Sequence, residues 1–197
     1  MSSTERRFSD AQRQTLLAVA RDSIRHGLQT GQPLRLRPDD FDPGLAAPGA
    51  AFVTLERGGG LRGCIGSLEA HRPLVTDVAE NAFAAAFRDP RFPPLSPAEF
   101  DDLDIHVSVL SPPEPLKFDS EADLLSRIRP GIDGLIIEDL GHRGTFLPSV
   151  WESLPEPALF WRHLKQKAGL PPDHWSPTLR VYRYTTESFG ERDNPRN

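Results

Sequence analysis

The sequence predicts an α+β fold built around a mostly antiparallel sheet flanked by helices. Two observations carry this. Segments with strand periodicity arrive in pairs joined by short glycine-rich turns, and segments with helical periodicity stand between the pairs rather than after every strand. A third supports them: Leu103, Ile105, Val107 and Val109 alternate with Asp104, His106 and Ser108, the pattern of a half-buried strand.

In chain order, Ser9 and Gln12 form a capping box that opens a helix with Leu17, Ile24 and Leu28 on one stripe. Gly31 and Pro33 stop it. Residues 34–49 read as an ordered loop. Ala51 to Glu56 reads as a strand, Arg57-Gly58-Gly59-Gly60 as a turn, and Leu61 to Ser67 as the hairpin partner. Pro73 then starts a helix whose apolar face uses Leu74, Val75, Val78, Ala82, Phe83, Ala86 and Phe87, and Asp89-Pro90 ends it. Ser96 and Glu99 make a second capping box, for a short helix. After the alternating strand come a helix over 120–128, a strand over 134–138 and its hairpin partner ending at Leu147. Pro157 opens a last helix, closed by Gly169, and Leu179 to Tyr184 is a last strand. Residues 9–190 read as a single domain, with flexible termini at 1–8 and 191–197.

Bulk properties narrow the function. A chain of 197 residues with net charge −5 and scattered basic residues is not built to grip a phosphate backbone, so no nucleic-acid partner is expected. No eighteen-residue apolar run exists, so no membrane span is expected, and the polar N-terminus leads to the expectation of a cytoplasmic protein. Twenty prolines at element boundaries indicate stiff loops. One cysteine excludes an intramolecular disulfide and any multi-thiolate metal site. The six histidines show no i, i+4 pair and no H-x-H, so neither a metal nor a cofactor is expected. Gly58, Gly60 and Gly63 spell G-x-G-x-x-G, but the turn leads into a strand, not the helix N-terminus a phosphate loop requires.

The candidate site is centred on Leu61-Arg62-Gly63-Cys64-Ile65-Gly66. On an extended chain Arg62 and Cys64 share a face, with Leu61 and Ile65 opposite. A cation beside a thiol favours the nucleophilic thiolate, and bare backbone at Gly63 and Gly66 lets a ligand approach. Cys64 is then the candidate nucleophile, with Arg62, Gly63, Gly66, Asn81 and Arg91 as candidate ligand-binding residues. Asp104 and His106 share a strand face, which makes His106 a candidate base. Each has a plainer reading. Cys64 serves as a small buried hydrophobe, the glycines serve packing, and Asp104, His106 and Ser108 are the wet side of an amphipathic strand.

Several motifs in order resemble the AMMECR domain family, also called AmmeMemoRadiSam system protein A. They are Leu61 to Gly66, Asn81-Ala82, Asp89 to Leu95, Val107 to Leu110, Gly131 to Leu135, Leu147 to Trp151, and Lys167 to Pro171. The resemblance runs from about Arg13 to about Glu191. It implies an α+β fold with a larger and a smaller lobe. It also implies a genomic association with two partners, a Memo-like protein of the extradiol-dioxygenase fold and a radical-SAM enzyme. The family pattern does not require a histidine at His106, and many members carry glutamine where this chain has Ser149.

Two functions follow. One is a small enzyme or enzyme subunit acting on an unknown small molecule in a cleft around Arg62, Cys64 and Arg91. The other is a non-catalytic adaptor that presents substrate or docks the two partner proteins.

Overall fold

Strand and helix periodicities in this chain resolve into two four-stranded sheets, each with its own apolar core. The computed structural model describes residues 7–193. The first compact unit runs to Leu110 and resumes at Glu187; the second, smaller one is Ser111–Thr186.

In the first unit, α1 (Asp10–Thr30) begins at the Ser9/Gln12 capping box and ends at Gly31, whose φ of 70° suits a residue without a Cβ. Strands β1 (Ala51–Arg57) and β2 (Gly60–Gly66) form the expected hairpin, and α3 (Leu74–Phe87) follows. A one-turn helix, α2 (Pro43–Ala46), interrupts the loop before β1. Strand β3 (Leu103–Leu110) pairs antiparallel with β1, and β8 (Thr186–Gly190) completes the order β2-β1-β3-β8. The second capping box is present, but the segment it opens, Pro97–Asp102, is a 3-10 helix.

Alternation assigns the faces. Val53, Leu55, Ile105 and Val107 are fully buried and join Leu16, Ile24, Val75 and Val78 of α1 and α3 in one core. Phe52, Thr54, Glu56 and His106 lie on the other face and are only half-buried. Burying such aliphatic side chains contributes roughly 1.5–3 kcal/mol each, so this face sets the register of the sheet.

The second unit holds β4 (Glu114–Pro115), α4 (Glu121–Arg127), β5 (Gly134–Asp139), β6 (His142–Phe146), α5 (Pro157–Lys167) and β7 (Arg180–Tyr184), in sheet order β4-β7-β5-β6. Its core stacks Trp151 on Phe160 at 3.7 Å, and the Trp151 indole donates to the Asp133 carbonyl.

Of the expected flexible tails, residues 1–6 and 194–197 lie outside the described residues. The flanking positions are tied down: Phe8 is buried, the Arg7 amide donates to Glu187, and Glu191 pairs with Arg21 at 2.6 Å. No helix among the described residues is long and apolar enough to cross a membrane.

Candidate functional site around Cys64

Strand β2 is an edge strand with a bulge at the signature motif. Gly63 pairs with Leu55 and Leu61 with Glu56, which leaves Arg62 as the extra residue. The bulge overturns the expectation that Arg62 and Cys64 share a face with Leu61 opposite. Leu61 falls beside Glu56 on the open face and is 46% exposed. Arg62 turns aside and is buried. Its Nε donates to Glu99 at 2.8 Å, its Nη2 donates to the Pro93 carbonyl, and its guanidinium lies 5.8 Å from the Phe92 ring centre. The Arg62 hydrogen bond, followed by that of the Ser96 amide, lowers the Glu99 carboxyl to about 2.

The outer edge of β2 is covered by Asp89 and Arg91. The Cys64 amide donates to Asp89 at 2.9 Å, and Arg91 reaches the Cys64 carbonyl at 3.4 Å. Asp89 and Arg91 pair with each other at 2.7 Å. Arg91, with the Cys64 amide adding to it, holds the Asp89 carboxyl far below the usual carboxylate range. A carboxylate and a guanidinium thus replace the strand that an edge lacks.

The glycines meet protein. A Cβ at Gly63 would stand 2.2 Å from the Ala85 carbonyl oxygen of α3, and one at Gly66 would stand 2.2 Å from the Phe52 ring. Asn81 is also turned inward: its Nδ2 donates to the Ala51 carbonyl, Ser67 and Asp77. Asp77, fully buried, is the hub that the sequence reading did not single out. It accepts from the Ala51 amide, Ser67, Arg72 and Asn81. The sequence signal was an aspartate on the apolar face of α3, one turn before Asn81.

Cys64 itself is half-buried on the open face, and Thr54 Oγ1 donates to its sulfur at 3.3 Å. The register Cys64–Thr54–His106 runs straight across three strands. His106 is therefore two strand spacings from Cys64, about 9.6 Å between backbones. Its Nε2 faces Asp104 at 3.4 Å and Glu56 at 3.8 Å. The structure brings His106 to Asp104 as period two requires, but not to Cys64. A depression of about 740 Å³ beside the hairpin is lined by Arg57, Leu61, Arg62, Asp101, Asp102 and Arg192; Cys64 and Arg91 lie outside it.

The match to known proteins is unambiguous in extent. The AMMECR1 family model matches residues 17–189. The chain belongs to the AMMECR1 family. A protein of Methanothermobacter thermautotrophicus is 46% identical over 183 residues, covering 90% of this chain and 93% of that one. A protein of Thermococcus gammatolerans is 40% identical, covering 96% and 95%. The crystal structure of an uncharacterized protein from Pyrococcus horikoshii superposes with a TM-score of 0.81 at 38% identity, covering 89% of each chain. The α+β fold of this AMMECR1 protein is thus shared with an experimental structure.

Proposed function

We propose that this AMMECR1 protein is a cytoplasmic enzyme subunit that works with a Memo-like protein and a radical-SAM enzyme, and that Cys64 is its chemical centre. The observation supporting this reading is the placement of the thiol. It stands on the open face of the first sheet, with a Thr54 hydroxyl donating to the sulfur, on a strand fixed by packing at Gly63 and Gly66 and by Asp89 at its edge. The Thr54 hydrogen bond and the rigid strand together hold the sulfur in one position. Arg62 is buried against Glu99, whereas Arg91, although paired with Asp89, is 54% exposed beside the Cys64 carbonyl and is the cation open to an anionic group of the small-molecule substrate. Cys64 would act as nucleophile or acyl carrier. Whole-protein mass after alkylation tests this, because the chain has one cysteine. Labelling of the native protein supports the reading; labelling only after unfolding removes it.

The adaptor reading draws on a different observation, the pairing of both arginines of the motif with carboxylates. It is tested by mixing the protein with its two proposed partners. If Cys64→Ala retains both binding and system activity, the adaptor reading replaces the enzymatic one.

A further inference from the structure

Glu56 of β1 lies directly opposite Asp104 of β3, and His106 follows two residues later on the same face. One ligating atom from each of the three lies within 4.8 Å of the others. His106 Nε2 is 3.4 Å from Asp104 and 3.8 Å from Glu56. These separations are too long for good hydrogen bonds. They are close to the roughly 3.3 Å that separates ligands sharing one tetrahedral ion at about 2.0–2.1 Å.

Two further features concern the same side chains. The Asp104 side chain is 8% exposed, and its Oδ1 is buried with no hydrogen-bond partner; His106 Nε2 is buried in the same condition. It is the other carboxylate oxygen, Oδ2, that stands 3.4 Å from Nε2, so each of these two neighbouring side chains carries a buried polar atom left unsatisfied, which is costly unless something else satisfies it. The ring is also held in place from behind, since a Cβ at Gly190 would stand 2.4 Å from His106 Nδ1. Packing on that bare backbone keeps Nε2 toward the carboxylates.

We infer that Glu56, Asp104 and His106 form a binding site for a divalent transition ion of the zinc class. One imidazole with two carboxylates suits zinc, manganese or iron(II) better than calcium or magnesium, which take oxygen ligands. Three protein ligands leave a coordination position for water or an exchangeable anion. Arg192, 72% exposed, lies 3.1 Å from Asp104 and is the cation that the metal ion displaces. The site is separate from Cys64, with Thr54 between them in the register.

The test is titration of tag-free, full-length protein with Co²⁺ and Zn²⁺, read by visible absorption and calorimetry. The expected result is one ion per chain, with d–d bands and no thiolate charge-transfer band. His106→Ala and Glu56→Gln should each weaken binding by more than the roughly 10- to 100-fold that losing an outer-shell partner already costs. Glu56 is 42% exposed, so its substitution leaves the core intact. Cys64→Ala should bind as the parent does, and Arg192→Ala should bind more tightly. Binding that is no tighter in the parent than in His106→Ala overturns the site. So does a thiolate band, or loss of binding in Cys64→Ala.

Discussion

Gly63 packs against the backbone carbonyl of Ala85, with room for a hydrogen and none for a methyl group, since a Cβ would stand 2.2 Å from that oxygen. Strand β2 and helix α3 touch there backbone to backbone, and the signature motif is held flat against the helix. Gly63→Ala is therefore expected to destabilise the protein by about 1–3 kcal/mol, the usual range for overpacking. Gly60→Ala is the control, because its nearest neighbour would be the Arg57 carbonyl at 3.7 Å. Denaturant titration of both variants checks the difference.

Asp77 ties α3 to the start of β1 and to the segment after β2. Asp77→Ala leaves the Ala51 amide and Asn81 without their shared acceptor and removes the partner of Arg72. A loss of about 3 kcal/mol is expected. Asn81→Ala should cost less, and the double variant should fall short of the sum because the two share one network. A double-mutant cycle in urea measures this.

Acid should weaken both units. Glu99 is lowered to about 2 by Arg62 and Ser96, and Asp139 to about 2 by Ser176, then Thr178, then His174. Both carboxyls are depressed in the folded state, so their contribution is full above the unfolded values of roughly 4. It is lost as pH falls from there through about 2. The denaturation midpoint should drop over that interval. Glu99→Gln should be less stable than the parent at neutral pH and show a shallower acid loss.

Thr54→Val takes the hydroxyl from the Cys64 sulfur while keeping a β-branched residue that suits the strand. Alkylation of the native protein at fixed neutral pH should slow by about 2- to 12-fold, the equivalent of the roughly 0.5–1.5 kcal/mol that a hydrogen bond contributes. An unchanged rate would mean that the hydroxyl does not act on the reactive form.

Much of the fold was legible because it rests on local rules. The Ser9/Gln12 box, the Gly58-Gly59 turn and the alternation from Leu103 to Val109 are short-range signals, and each marks an element that is present. Strands β4 and β8 carry no clear signal in the sequence. The first has two residues, and the second, Thr186 to Gly190, carries little apolar alternation and gains its place from β3. The capping box at Ser96 marked a helical start but could not distinguish α from 3-10 geometry over six residues.

The site depended on tertiary structure far more. By itself the sequence determined the family and the pairing of β1 with β2, and it singled out residues around one cysteine. It could not determine which way those residues turn. A bulge needs a partner strand before it exists, and only the register against Leu55 and Glu56 sends Arg62 to Glu99 instead of to the thiol. The grouping of Glu56 with Asp104 and His106 is equally invisible in one dimension, because nearly fifty residues separate ligands that a hydrogen-bonded ladder brings side by side. Local chemistry wrote the elements; long-range pairing decided which side chains meet.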